Sequence, residues 1–286
     1  MSMAPTIPTQ DEFLAAPVEA VAAVAPRSMV YAPGGTRRSA TFAGIVPWSA
    51  EHVRESQNRF VDCLDVIYRY GVEHVFSPMI MVGHAKEVED IERQLIARVG
   101  EFATDPYLQD MISRRGWQIK LAPSAFSQAL EPYSEELRLR APANAAHTWW
   151  MTITPSHESW WENLIAVIKS GQVSTGADAV RALYGQDVPP ITLCLAFGKP
   201  VVSPDLFPPL LMGNVQCYWS QQAGYTLTDE QYRKVLYDYA FLRRTWQKDK
   251  IARAKEAQAQ REIWEQEVIL GLGTRYGPFW YPDFPR

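Results

Sequence analysis

Short apolar runs alternate along the chain with longer stretches in which apolar residues recur at helical spacing. Residues 28–31 form a short apolar run that predicts a strand, and residues 32–35 predict a tight turn directly after it. Ser49 is a suitable N-cap for the helix that follows, and Gly71 supplies its end. The apolar face of this helix is predicted to consist of Val53, Phe60, Val61, Leu64, Ile67 and Tyr68.

The alternation of strands and helices continues through the middle of the chain. Residues 72–76 predict the next strand, and residues 87–102 predict an amphipathic helix. Further strands are predicted at residues 118–121, 148–154 and 191–195, with helices near residues 124–140, 159–170 and 176–184. Strands that alternate with helices are typical of an α/β fold, so we expect a central, mostly parallel sheet flanked by helices.

The two ends of the chain differ from this middle part. We expect a flexible arm at residues 1–10 and a single domain over residues 11–286, beginning with a short helix that Pro17 interrupts. Thr228 and Gln231 form a capping-box pattern before a helix that should end near Arg243. Residues 248–267 predict a charged surface helix. The aromatic tail at residues 271–284 should fold back over the body or across a subunit interface, because water disfavours such an apolar segment.

Composition narrows the class of protein. Hydrophobic residues make up 47% of the chain and the formal net charge is only -4, which argues against disorder and against a nucleic-acid surface. Cys63, Cys194 and Cys217 are too few and too scattered for a disulfide framework or a zinc site. The sequence contains no apolar run of about 18 residues and no secretion signal, so we expect a cytoplasmic protein without a transmembrane segment.

The glycine turn after the first predicted strand carries the clearest chemical signal. Gly34, Gly35 and Thr36 precede two adjacent arginines, Arg37 and Arg38. Ligands of parallel sheets collect at the carboxyl ends of the strands, where glycines let the backbone approach an anion and guanidinium groups supply forked donors. The spacing matches neither a phosphate-binding P-loop nor a dinucleotide fingerprint. The residues alone leave two interpretations open: a diphosphate cradle, and a structural turn with solvated arginines.

The run from Gly34 to Arg38 resembles the Asp-Gly-x-x-Arg-(Arg/Trp) element of cis-prenyltransferases such as undecaprenyl diphosphate synthase. Residues 11–14, 69–78, 196–199 and 236–243 resemble further segments of that family in the same order, most like its tuberculosinyl transferase and diterpene synthase members. The resemblance extends from about residue 10 to residue 280. It implies a cis-prenyltransferase-like domain with a hydrophobic tunnel for an isoprenoid tail, assembled as a homodimer.

The resemblance also implies a set of site residues. The diphosphate would be bound by Gly34, Gly35, Thr36, Arg37, Arg38 and Arg243. The implied catalytic residues are Arg37, Arg38, Tyr237 and Asp238. The prenyl tail and the carbocation would be lined by Tyr31, Trp48, Phe76, Phe197 and Tyr239, because aromatic faces attract positive charge. His84 is a candidate base.

One departure from the family concerns the metal. The family's motif aspartate, which supports Mg²⁺, falls on Gly34, and glycine has no carboxylate to offer. Ser39 replaces the aromatic residue that usually follows the arginines. Three alternatives stay open: Asp205 or Asp238 supplies the metal ligand, the arginines and backbone amides act without a metal, or activity has been lost.

The function that the resemblance implies is that of a terpene synthase or prenyltransferase. Such an enzyme ionises an allylic prenyl diphosphate of C15 or C20 length and lets water, proton loss or a small-molecule acceptor quench the carbocation. Chain elongation is disfavoured, because residues 195–200 stand where elongating enzymes carry Arg-x-(Gly/Ser)-Gly-Glu-x-Arg, and only Lys199 is basic there. The alternative is a non-catalytic isoprenoid-binding or partner subunit on the same scaffold.

Overall fold

A six-stranded parallel sheet forms the centre of the protein. The computed structural model describes residues 7–81, 91–123, 127–154, 156, 158–171, 173–243, 250–266 and 269–283. The strands are β1 (Ser28–Ala32), β2 (His74–Ile80), β3 (Trp117–Leu121), β4 (His147–Ile153), β5 (Ile191–Phe197) and β6 (Met212–Ser220). Their order is β3-β4-β2-β1-β5-β6, and every neighbouring pair is parallel. The predicted α/β fold is confirmed.

Helices cover both faces of the sheet. Those before β3 are α1 (Gln10–Leu14), α2 (Val18–Ala22), α3 (Thr36–Phe42), α4 (Ala50–Tyr68), α5 (Ile91–Thr104) and α6 (Pro106–Arg114). The later ones are α7 (Ser127–Arg140), α8 (Ser159–Lys169), α9 (Gly176–Tyr184), α10 (Asp229–Tyr237), α11 (Lys250–Ala259) and α12 (Arg261–Trp264). A 3₁₀ turn spans Pro204–Leu206, and a π-helical turn, Asp238–Leu242, continues α10.

Several elements differ from the sequence-based expectation. The helices α3 and α6 and the strand β6 were not predicted. The strand β2 continues through Pro78 to Ile80, with a shift of register against β4 at that point, as a proline inside a strand requires. In α4, Ser49 caps the helix as predicted by accepting a hydrogen bond from the His52 amide, but Val53 is 40% exposed and lies outside the buried face.

Side chains on the two faces of the sheet form separate cores. Tyr31, Phe60 and Trp149 belong to the core beneath α4, where the Phe60 and Trp149 rings stack with centroids 4.4 Å apart. Phe76 and Trp150 stack at 5.6 Å in the core on the other face. Successive strand residues point to opposite faces, so neighbouring residues of one strand reach different cores.

The C-terminal segment ends in an antiparallel hairpin made of β7 (Gly273–Tyr276) and β8 (Phe279–Pro282). Phe279 lies against Arg38 in α3, so the aromatic tail folds back over the body as predicted. Gly277 occupies the turn of the hairpin with φ of 60°, a conformation that favours glycine. Of the helices that the structure describes, none combines the length and the apolar content needed to cross a membrane.

Candidate active site

A large cavity opens where the carboxyl ends of β1, β5 and β6 meet. Its volume is about 850 Å³, within the range typical of small-molecule sites. The sheet contributes Tyr31, Leu195 and Phe197 to its wall, α10 contributes Val235, and the C-terminal hairpin contributes Trp280. Apolar groups therefore dominate one side of the cavity, beside the turn that carries the two arginines.

The glycine turn packs directly against the end of β5. A Cβ atom at Gly34 would lie 2.8 Å from Cδ1 of Phe197, and one at Gly35 would lie 2.9 Å from Cζ of the same ring. Gly35 also has φ of 74°, and the Gly224 amide donates a hydrogen bond to the Gly34 carbonyl. Both glycines are therefore required by the approach of Phe197, and the turn is held on two sides.

Arg38 lies between two aromatic rings. Its guanidinium carbon is 4.0 Å from the centroid of Phe279 and 5.7 Å from that of Phe197. Within the described ranges, its Nε is buried and has no hydrogen-bond acceptor. A buried donor without an acceptor is costly, so this nitrogen is suited to an anionic ligand.

Arg37 is more open to water than Arg38. Its guanidinium carbon lies 5.5 Å from the Trp48 ring, and that ring is 63% exposed. Trp48 has φ of 70°, and its amide donates to Nδ1 of His52, which fixes it at the start of α4. Arg37 and Trp48 thus form the rim beside the turn, and Trp48 does not reach the wall of the cavity.

Arg243 enters the cavity wall from the end of the π-helical turn. Its Nε donates to Oδ2 of Asp238 at 2.7 Å, and the Tyr218 hydroxyl donates to the same oxygen at 2.7 Å. Burial, together with the neighbouring Asp238 carboxylate, raises the pKa of Tyr218, so this hydroxyl remains a donor. The bond to Asp238 uses Nε, and in the described part of the chain no acceptor is paired with the two terminal nitrogens of Arg243.

The cavity wall does not include residues 34–38 of the turn themselves, and three aromatic residues singled out from the sequence also lie away from it. The Tyr237 hydroxyl donates to the Pro8 carbonyl, and its ring packs on Phe13 at the N-terminal helix. The Tyr239 hydroxyl is hydrogen-bonded to that of Thr192. Phe76 is fully buried on the opposite face of the sheet from Tyr31. The reason is geometric: strand and helix periodicity turn these side chains toward other elements.

Cys217 on β6 is a wall residue that the sequence did not single out. It is paired in register with Cys194 of β5. Interaction with the neighbouring Cys194 thiol lowers the pKa of Cys217, burial opposes this shift, and the Arg243 guanidinium adds to it. Cys63, by contrast, is buried, and burial raises the pKa of its thiol.

His52 is a second residue that sequence reasoning missed. It is 7% exposed and lines a niche of about 20 Å³ between α3 and α4, with Ser39 and Glu55. Its Nδ1 accepts from the Trp48 amide, and its Nε2 is buried without an acceptor in the described part of the chain. No sequence signal distinguishes such a histidine from a structural one in the first turn of a helix. The predicted base His84 lies outside the described residues.

The residues near the turn do not fit a Mg²⁺ ion held by protein carboxylates. Gly34 has no side chain, and the Phe197 ring occupies the space into which one would extend. Asp238 is bound to Arg243 and Tyr218, and the buried Asp205 is not part of the cavity wall. No group of three acidic, histidine or cysteine side chains that could hold a metal occurs among the residues that the structure describes.

A parallel α/β sheet of this order, with an arginine-bearing turn beside an apolar cavity, defines the cis-prenyltransferase fold class. Two solved structures share the fold. Lavandulyl diphosphate synthase from Lavandula x intermedia, in complex with dimethylallyl diphosphate, superposes with a TM-score of 0.58 at 12% identity, covering 77% of this chain and 97% of that one. A probable undecaprenyl diphosphate synthase from Campylobacter jejuni gives 0.52 at 12% identity, with the same coverage.

Sequence comparison narrows the class. The chain is 37% identical over 282 residues to (+)-kolavelool synthase of Herpetosiphon aurantiacus, an alignment that covers 98% of this chain and 97% of that protein. It is 20% identical over 294 residues to tuberculosinyl adenosine transferase of Mycobacterium tuberculosis, covering 96% and 98%. No protein-family model matches the chain. The chain belongs to the cis-prenyltransferase-like family of terpene synthases and prenyltransferases, and the predicted resemblance is confirmed.

Proposed function

We propose that this protein is a terpene synthase that ionises an allylic prenyl diphosphate of C15 or C20 length in the cavity described above. The observation that carries the proposal is the position of Arg37 and Arg38 at the start of α3, beside an apolar cavity of about 850 Å³ that Tyr31 and Pro33 of the preceding segment line. Within the described ranges, Nε of Arg38 is buried and has no hydrogen-bond acceptor. A diphosphate needs permanent positive charge, and a prenyl tail needs a dry apolar wall.

The proposed reaction begins with cleavage of the bond between C1 of the prenyl chain and the diphosphate oxygen. The electron pair of that bond leaves with the diphosphate, whose new negative charge is stabilised by Arg37, Arg38 and Arg243. The allylic cation that remains is quenched by addition of water with loss of a proton, or by direct loss of a proton. No step is assigned to a metal ion, because the side chains near Gly34 do not fit one.

The aromatic residues of the cavity support this reaction. Tyr31 and Phe197 line the cavity at the ends of β1 and β5, and Tyr218 lies on β6 beside Arg243. The negative faces of aromatic rings stabilise a nearby cation without acting as nucleophiles. The relative that is 37% identical along nearly the whole chain is named as a synthase, which favours a terpene synthase over transfer to an acceptor.

The test is incubation of the purified protein with geranyl, farnesyl and geranylgeranyl diphosphates, each with Mg²⁺ and with a chelator. We expect diphosphate release and an extractable terpene from at least one substrate. The Arg37→Ala, Arg38→Ala double variant should lose activity by roughly 100-fold or more. The matched control is Arg114→Ala, which removes an exposed arginine on α6 that is paired with Asp110.

Release from none of the substrates would defeat the enzyme proposal. It would instead favour the non-catalytic isoprenoid-binding subunit, for which the missing carboxylate at Gly34 is the specific observation. Homodimer formation, a prenyl acceptor and a cytoplasmic location stay predictions, and participation of Mg²⁺ stays an open alternative.

A further inference from the structure

We infer that the C-terminal hairpin β7–β8 is a working part of the active site: Phe279 positions the Arg38 guanidinium for the diphosphate, and Trp280 forms the wall against which the prenyl chain lies. The inference rests on the proposed function, in which Arg38 binds the diphosphate. It concerns residues that lie more than 200 positions from the glycine turn along the chain.

Two aromatic rings lie next to the Arg38 guanidinium. The guanidinium carbon lies over the Phe279 ring, 4.0 Å from its centroid, and the Phe197 ring is 5.7 Å away. All donors of a guanidinium lie in its own plane, and an aromatic face attracts the cation without accepting those in-plane bonds. The two rings therefore hold Arg38 and leave its donors for a ligand.

Within the described ranges, no protein acceptor competes with a ligand for Nε of Arg38. Arg38 Nε is buried and unpaired in the part of the chain that the structure describes. By contrast, Arg243 is bound to Asp238 and Arg233 to Asp229. An arginine that is fixed by aromatic rings rather than by a carboxylate keeps its full charge for an incoming anion. Phe279 thus takes the place that an acidic residue usually has in positioning an arginine.

Trp280 lies on the same strand as Phe279. The side chain lies beside Gly273 of the facing strand, where any Cβ atom would collide with the indole, so the hairpin leaves space for this ring. Trp280 and Pro282 line the cavity together with Leu270 and Gly271. The same hairpin therefore supplies one residue to the diphosphate end of the site and another to its apolar wall.

The hairpin depends on these contacts for its position. Phe279 and Tyr281 are about half exposed, and an isolated two-stranded hairpin has little stability of its own in water. Because Arg38 is shared between the hairpin and the diphosphate, ligand binding and docking of the hairpin are linked, and each stabilises the other.

The experiment measures binding of inorganic pyrophosphate by calorimetry and steady-state kinetics with the preferred prenyl diphosphate. The variants are Phe279→Ala, Phe279→Leu and Phe279→Tyr, with Tyr276→Ala as the control that removes an exposed ring from the other strand. We expect Phe279→Ala and Phe279→Leu to raise the pyrophosphate Kd and the KM by about five- to thirtyfold. Phe279→Tyr should restore both values, and Tm should be unchanged throughout.

A double-mutant cycle with Arg38→Ala separates positioning from a general structural role. In the Arg38→Ala background, the change Phe279→Ala should have no further effect on pyrophosphate affinity. If Phe279→Ala binds pyrophosphate as tightly as Tyr276→Ala does, while Arg38→Ala binds it weakly, the inference is overturned. The proposed function would remain intact in that case. Unchanged affinity in Arg38→Ala itself overturns the proposed function as well.

The proposed contribution of Trp280 to the cavity wall is tested by a separate measurement, the preference for substrate length. Trp280→Ala should lengthen the cavity and raise the ratio of kcat/KM for geranylgeranyl diphosphate to that for farnesyl diphosphate, whereas Trp280→Phe should keep the original ratio. Pyrophosphate affinity should stay within about twofold in both variants, because Trp280 does not contact Arg38. A substrate ratio that does not change in Trp280→Ala contradicts this part of the inference.

Discussion

Gly34 and Phe197 approach so closely that a side chain at position 34 excludes the present position of the ring. A Cβ atom at Gly34 would be 2.8 Å from Cδ1 of Phe197 and 3.4 Å from its Cγ. The family's motif aspartate could therefore return only if Phe197 moved. The absence of a side chain at position 34 and the present position of the Phe197 ring therefore depend on each other, and the ring lines the cavity beside the turn.

The first prediction concerns this contact. Gly34→Ala should lower the free energy of unfolding by about 1 to 3 kcal/mol, because it overpacks a site that has no free space. In a Phe197→Ala background the same change should lower it by much less. Urea denaturation of the parent protein, the two single variants and the double variant measures the interaction free energy between positions 34 and 197. Gly176→Ala is the control, because a Cβ atom there meets nothing within 4 Å. Equal losses in both backgrounds would contradict the contact.

Cys217 should be the reactive thiol of the protein. Its pKa is lowered by the neighbouring Cys194 thiol, so alkylation by iodoacetamide should reach half its maximal rate at a lower pH than the value of about 8.5 that is usual for a cysteine. Cys194→Ala removes this neighbour and should move the midpoint toward that usual value. Cys217→Ser should abolish the fast phase, and mass spectrometry should find Cys63 unmodified while the protein is folded. A midpoint that Cys194→Ala leaves in place would contradict this origin of the shift.

His74 should make the protein less stable in mild acid. Burial lowers the pKa of His74 to about 4, Glu73 opposes the shift, and Lys120, Arg27 and His147 add to it. In the unfolded chain the group titrates near 6.5, so the unfolded state binds the proton first as pH falls. Stability is therefore full above about pH 6.5 and decreases by up to about 3 kcal/mol as pH falls to about 4.

The measurement is urea denaturation at a series of pH values between 7 and 4. His74→Asn keeps an acceptor for the Trp150 indole N–H, which donates to Nδ1 of His74 at 3.2 Å. The variant should lose stability less steeply than the parent protein over this range. If the free energy of unfolding falls equally steeply with pH in both proteins, groups other than His74 cause the loss of stability.

Arg233 should contribute strongly to the stability of the fold, although it does not line the cavity. Its side chain is 12% exposed, its Nη1 donates to the carbonyls of Leu14 and Ala16, and its Nε donates to Tyr70 and Asp229. Arg233→Met should lower the free energy of unfolding by about 1.5 to 3 kcal/mol, because partly buried acceptors lose a charged donor. The control is Arg69→Met, which removes the exposed partner of the same aspartate and should change stability by less than about 1 kcal/mol.

The sequence was sufficient to predict most of the sheet, for a physical reason. Interior strands of a parallel sheet are buried on both faces and are rich in apolar residues, as β1, β2, β4 and β5 are. The strand β6 lies at the edge and contains Gly213, Asn214 and Gln216, so it lacks that pattern. The helix α6 was missed although its signals are local: Asp105 caps it and Pro106 occupies its first position.

The site was less predictable than the fold. The Gly34–Arg38 turn was found because glycines and paired arginines have chemical meaning wherever they stand in an α/β sheet. Phe76 was placed near the site although it faces the other core, because a strand pattern does not say which face meets the ligand. The contact of Phe279 with Arg38 joins residues that are far apart in the chain, and no local pattern contains it.

The central position of β1 has a consequence for synthesis of the chain. It is the first strand to leave the ribosome, yet it lies between β2 and β5. One of its edges is covered early, while the other remains open until the chain has been extended to Phe197. During that interval a row of unpaired amides and carbonyls, flanked by apolar side chains, is available for wrong partners. The nascent polypeptide should therefore rely on chaperones until β5 emerges and completes the pairing.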